Sequence, residues 1–217
     1  MTCSLTRFPK RYFLFFLLLI GISACQSINK KVKYYSTDIT LKNGTVLKGS
    51  TSPIANDNFS FKDAVTSKKS TIQNKDVQTI TKNLPDGTKE YAQFEIETSK
   101  KHEKKETILG AYVVKGDLSL ISYEATEHTR TTQNVNNRQT FVNETILAKH
   151  YYLKWSNAPG KEVNMGTRKA QEEDFMDTAL EFFADAPELM KKIGSEGYQA
   201  KNIKKIVEEY NAFKGKK

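Results

Sequence analysis

A chain of 217 residues with 38% hydrophobic residues, among them 12 Phe and 10 Tyr, carries enough apolar material for the core of one domain, which excludes an intrinsically disordered chain. The 34 basic against 25 acidic residues leave a net charge of +9. Such an excess fits nucleic acid, but equally a solvated surface or attraction to anionic lipid headgroups and envelope polymers.

The first stretch reads as an export signal. Arg7, Lys10 and Arg11 form a positive head, Tyr12 to Ile22 an apolar run, and Ile22-Ser23-Ala24 a small-residue site that ends at Cys25. The apolar run is about half the roughly 20 residues that span a bilayer as a helix, which disfavours a transmembrane anchor. Ile22-Ser23-Ala24-Cys25 resembles the lipobox of bacterial lipoproteins. The resemblance implies that residues 1–24 are a signal peptide, that the Cys25 thiol receives a diacylglyceryl group, and that a peptidase cuts before it, after which the new amine is acylated. Gln26, where an Asp would signal retention in the inner membrane, implies transfer to the outer membrane. The membrane is then one partner, reached through the N-terminal lipid. Cys3 leaves with the signal and Cys25 is spent on lipid, so no disulfide and no cysteine-based metal site or nucleophile is expected. Loss of Arg7, Lys10 and Arg11 lowers the charge to +6, and export argues against a nucleic-acid partner.

Residues 25–37 carry Lys30, Lys31 and Lys33 without apolar periodicity, the pattern of a flexible tether near headgroups. From Asp38 the period is two. Ile39 to Lys42, Asn43-Gly44 and Thr45 to Lys48 predict a hairpin with a type I′ turn that sets Leu41 opposite Val46. Short strands follow at Asn58 to Lys62, Ser70 to Gln73, Val77 to Lys82 and Glu90 to Glu97. Thr107 to Val114 and Asp117 to Ala125 form the most apolar hairpin, expected at the centre of the sheet. Thr126 to Gln139, rich in Thr, Asn and Arg, reads as a long mobile loop. Phe141-Val142 and Ile146 to Trp155 resume the strand pattern, and Asn157 to Gly160 ends the β region, residues 38–160.

In residues 161–217 the period becomes 3.6. Phe175, Met176, Ala179, Leu180, Phe182 and Phe183 make a wide apolar face, and Glu172, Glu173 and Asp174 offset the helix macrodipole at its start. Asp185 is expected to cap a short helix that Gly194 stops, and Ile203, Ile206, Val207 and Tyr210 mark a last helix. Glu181 to Leu189, Lys192-Ile193, Tyr198 and Ile206 to Asn211 resemble the C-terminus of uncharacterised envelope proteins of Bacteroidota, as do Leu118 to Glu124 and Tyr151 to Lys154. Ala186 stands where that group often has Cys. The resemblance brings no catalytic residue with it.

For chemistry the chain offers little. His102 lies in a charged connection, His128 follows Glu127, and His150 sits in a strand; none has a second ligand at metal spacing. Tyr34, Tyr35, Tyr151, Tyr152 and Trp155 either fill strands or stack on sugar rings, with Trp155 and Tyr151 the foremost ligand contacts under the second reading. The reading is thus an α+β fold: an antiparallel sheet, a meander or barrel-like, capped by C-terminal helices. Two functions fit it: a non-enzymatic, cofactor-free envelope component that binds a partner protein or polymer, or a ligand module for sugar or lipid. A hydrolase is a remote third.

Overall fold

The computed structural model describes residues 32–98, 104–135, 138–165 and 169–215. Cys25 and His102 lie outside them. Ten strands run β1 (Tyr35–Leu41), β2 (Val46–Thr51), β3 (Asn58–Asp63), β4 (Lys69–Gln73), β5 (Val77–Leu84), β6 (Gly87–Glu97), β7 (Lys105–Val114), β8 (Leu118–Val135), β9 (Arg138–Trp155) and β10 (Lys161–Glu162). Among the described residues three α-helices follow: α1 (Lys169–Phe183), α2 (Pro187–Met190) and α3 (Ile203–Lys214). Every strand pair is antiparallel, and the order β10-β9-β8-β7-β6-β5-β1-β2-β3-β4 is open at both ends. The described residues from Lys33 onward belong to one compact unit.

The first hairpin departs from the expected turn. Only Gly44 takes a positive φ, +85°, whereas a type I′ turn needs two such residues. Gly44 N–H donates to the Leu41 carbonyl and Leu41 N–H to the Thr45 carbonyl, so the loop has three residues with Gly44 in the left-handed position. The register slips by one: Val46 faces Thr40 instead of Leu41, and Val46 ends up exposed.

Strand β6 is where the sheet turns its corner. Its first half pairs with β5 up to Ala92, and its second half pairs with β7 on one side. On the other side Ile96 bridges to Gly160, with Glu97 N–H donating to Gly160 C=O and Gly160 N–H to Glu95 C=O, each at 2.8 Å. A Cβ at Gly160 would come within 3.2 Å of Ile96 and 3.3 Å of Tyr152, a tight contact that would require its neighbours to shift by a few tenths of an ångström.

Burial divides the apolar residues into three groups. Ile39, Phe59, Phe61, Val77, Ile80, Tyr91 and Leu109 fill the fold of β1 to β7. Phe94, Ile96, Ile108, Ile121 and Tyr152 fill the other face of β6 to β9. The largest group joins Leu118, Leu120 and Leu153 of the sheet to Phe175, Phe182, Phe183, Ile203, Ile206 and Tyr210 of the helices. At about 1.5–3 kcal/mol per fully buried large side chain, this last contact ties α1 and α3 firmly to β8 and β9. Two expectations about the helices fail. Leu180 is 55% exposed, because the buried stripe of α1 runs through Phe175, Ala179, Phe182 and Phe183 and leaves it on the flank. The N-cap of α2 falls on Ala186, and the Asp185 carboxylate accepts from Tyr210 Oη at 2.8 Å and Lys214 Nζ at 2.9 Å.

Candidate interaction surface

The stretch Thr126 to Gln139 is not a loop. Strands β8 and β9 pair continuously from Leu118↔Trp155 to Val135↔Arg138, leaving only residues 136 and 137 between them, and those lie outside the described residues. The β7–β8 ladder ends at Ala111↔Ser122, so beyond it β8 and β9 continue as a two-stranded arm about 40 Å long at roughly 3.3 Å per residue. Ordering it does not require a core of its own, because the ladder satisfies backbone groups and Thr fits a strand well. That is why a segment with little apolar alternation still pairs.

Three contacts fix the arm at its base. Asn56, held at a positive φ of 53°, donates its N–H to the Glu124 carbonyl and its Nδ2 to Thr126 Oγ1 at 2.7 Å, while its Oδ1 accepts from Thr126 N–H at 2.6 Å. Glu124 lies 3.7 Å from Lys89, whose ammonium burial holds below its ordinary pKa while Glu124 pulls it back up. His150 sits between two carboxylates, with Nε2 3.0 Å from Glu127 and Nδ1 2.7 Å from Glu162 of β10. A neutral imidazole carries one N–H, so both contacts are donated hydrogen bonds only when both ring nitrogens hold a proton.

Apolar side chains on the arm find no core. Phe141 is 60%, Leu147 56% and Ile146 42% exposed, although each would be buried in an ordinary sheet. By strand alternation Phe141 and Leu147 share one face and Ile146 takes the other. Arg130 covers part of the Phe141 ring at 4.0 Å, and His128 meets Thr145 across the ladder at 3.1 Å. An isolated two-stranded ribbon is marginal in water, and a third strand or a packed face stabilises it.

The aromatic residues singled out from the sequence are placed differently. Trp155 stacks on Phe182 at 6.2 Å and meets Tyr210 edge-on at 5.7 Å, which uses its ring inside the sheet–helix contact. Tyr151 packs against the same group with Lys149 5.1 Å from its ring centre, and Tyr152 is buried on the opposite face. Tyr34 and Tyr35 lie under Lys69 and Lys82. They do not converge on one pocket.

The concavities lie at the surface. One of about 450 Å³ is lined by Met165, Phe175, Met176 and Ala200 between α1 and the segment before α3. Another, about 400 Å³ and polar, opens where β8 leaves β7, among Asp57, Asn74, Gln93 and Tyr123. Asn74 donates its Nδ2 to the Asn56 carbonyl, and Gln93 Nε2 donates to the Asn74 and Val77 carbonyls, so this cleft is held by its own hydrogen bonds. Among the described residues no three His, Cys, Asp or Glu side chains are arranged to hold a metal ion. Sequence reading missed the arm, whose Thr-rich run has high β propensity but no apolar alternation, and the Glu127–His150–Glu162 contact, whose three residues come together only through strand pairing.

Comparison with protein-family models, with curated proteins and with solved structures finds no match to this chain.

Proposed function

We propose that this chain is an outer-membrane lipoprotein, anchored through Cys25, and that it is a non-enzymatic envelope component holding a partner protein through the β8–β9 arm. The observation that carries the reading is the arm itself. It continues past the last rung of β7 and bears Phe141, Ile146 and Leu147 in water. The body supports it by having its apolar interior filled, and β6 to β10, tied by the Ile96–Gly160 bridge, serve as a barrel-like base from which the arm projects. A strand edge is complemented by another strand, which favours a protein over a polymer as the partner. No helix among the described residues is long and apolar enough to cross a membrane.

The test is a photo-crosslinking amino acid placed at Phe141 or Leu147 of the full chain in intact cells, with exposed Val65 of the β3–β4 turn as the control position. Discrete adducts from the arm and none from Val65 are expected. An arm that gives no more adduct than Val65 would remove the reading.

A further inference from the structure

We infer that the arm's partner is a second copy of this chain, joined edge to edge along β9 in an antiparallel register centred on Phe141. This rests on the reading of the arm as the interaction surface. Three features of the strand bear on the register: the first limits the choices and the other two select one.

The first is the direction of the backbone groups. Tyr151 C=O accepts from Val163 N–H on the side away from β8. On β8, Glu124 and Thr126 turn their backbone groups outward to Asn56, and their ladder partners are Lys149 and Leu147. Both facts put the outward N–H and C=O groups of β9 on odd-numbered residues, by the period of two. Along the arm these are 139, 141, 143, 145, 147 and 149. Among the described residues β10 pairs with β9 only at Leu153 and Tyr152, so no strand lies beyond those odd positions. Two such edges bond only by pairing odd residues with odd residues.

The second feature is charge. Between 138 and 145 the charged positions are Arg138 and Glu144. Pairing Phe141 with Phe141 of the second copy obeys the odd-with-odd rule and sets position 138 opposite position 144 at both ends. Sliding by one allowed step sets 138 opposite 146 and 144 opposite 140, or 138 opposite 142 and 144 opposite 136, and both charge matches are lost. A two-fold interface needs a surface complementary to itself, and this strand has that property.

The third is the apolar residue at the centre. Phe141, 60% exposed on the single chain, meets its own copy across the two-fold axis, and directly opposed aromatic side chains stabilise a ladder. The described part of the edge, residues 138–144, is about 23 Å long at roughly 3.3 Å per residue. That is a small interface and a weak one in free solution. Copies held on one membrane by their lipid meet at a much higher effective concentration, so anchoring and pairing reinforce each other.

Cysteine cross-linking in the full chain, in its own membranes under mild oxidation, reads the register directly. Directly opposed residues stand about 5.5 Å apart at Cα, within disulfide reach. Phe141→Cys is expected to give a disulfide dimer above the wild-type background, and Asn143→Cys alone none, because position 143 faces position 139. Co-expressed Gln139→Cys and Asn143→Cys chains are expected to link to each other. Arg138→Glu added to Phe141→Cys is expected to lower the dimer several-fold, and Glu144→Arg added to both to restore it. A monomeric Phe141→Cys chain, equal linking at 143, or charge reversal without effect would overturn the register. If photo-adducts from Phe141 contain a different protein while Phe141→Cys stays monomeric, self-pairing is wrong and the arm reading stands. If no adduct of any kind forms, both fall.

Discussion

Asn211 of α3 holds the backbone of Leu118 at both of its polar groups. Its Nδ2 donates to the Leu118 carbonyl at 2.8 Å and its Oδ1 accepts from the Leu118 N–H at 3.1 Å, across 93 residues of chain. The amide thus takes the place of a strand at the start of β8, where Leu118 pairs with Trp155 on one side and the β7–β8 turn leaves it without a ladder partner on the other. Gly116 permits the approach, because a Cβ there would fall 2.3 Å from Asn211 Nδ2.

Asn211→Ala should therefore cost about 1–3 kcal/mol, the penalty for leaving buried backbone groups unmet. Asn211→Asp keeps one acceptor, loses the donor, and should be nearly as damaging. Gly116→Ala should act on the same contact, so the double variant with Asn211→Ala should be less destabilised than the sum of the two. Chemical denaturation of the four variants checks this. Simple additivity would mean that the two residues are not coupled.

Trp155 separates the two functional readings by stability. With Phe182 stacked on its ring and Tyr210 at its edge, Trp155→Ala should cost about 2–4 kcal/mol and lower the midpoint of thermal unfolding. A ring held out for a ligand would be replaced at almost no cost. A variant that unfolds at the wild-type temperature would return Trp155 to the ligand-contact reading.

What was legible in the sequence was legible because burial imposes a period. Phe59 with Phe61, and Ile203 with Ile206, Val207 and Tyr210, announce a strand and a helix, since each has a core to face. The arm has none. Thr129, Arg130, Thr131 and Thr132 show no alternation because both faces of a lone ribbon meet water, so the period that identifies a strand is missing where the strand is real. The Asn43-Gly44 turn failed differently: that pair fits a two-residue and a three-residue loop, and the choice moves every partner of β2 by one. Asp185 was taken by Tyr210 and Lys214, partners that no local pattern reveals. Cys25, on which the proposed membrane attachment rests, lies outside the described residues.

Lys82 should give the fold a measurable pH dependence. It is 3% exposed, its Nζ donates to the Ser52 carbonyl at 2.8 Å, and Lys89 stands directly opposite on β6. Burial, with the repulsion of Lys89 added, pushes its pKa down to about 8 from 10.5, against a smaller pull upward by Glu124. Between pH 8 and 10.5 the unfolded chain keeps a proton that the folded chain has released. The unfolded state binds more protons there, so this group makes stability rise with pH across that window; below pH 8 both states are protonated and its penalty is constant. Tyr91 and Tyr152, whose phenols burial pushes up, act in the opposite sense above pH 10. The difference between wild type and Lys82→Met isolates the lysine. Stability of the wild type should rise from pH 8 to 10 relative to the variant, and parallel curves would show that Lys82 titrates as an exposed lysine does.

Removing the arm should leave the body intact. Among the residues whose burial is described, no buried core residue lies beyond Ile121 on β8 or before Tyr152 on β9, so there the outer ladder contributes backbone bonds but no core. The cut must respect the pairing. Thr129 and Glu144 are opposite each other with their backbone groups turned inward, the arrangement that a two-residue Asn-Gly turn closes. Replacing residues 130–143 by Asn-Gly keeps the Asn56 contacts at Glu124 and Thr126 and the His150 contacts at Glu127 and Glu162. Loss of an exposed segment of this kind should change stability by less than about 1 kcal/mol, because surface changes away from core, caps and buried polar groups are usually small. Adducts from a photo-crosslinker at Leu147, which the shortened chain retains, should vanish with residues 130–143 if those residues carry the binding. A shortened chain that unfolds many degrees earlier would show that the arm is packed against the body, and a shortened chain that keeps its adducts would move the interaction surface from the tip to the base of the arm.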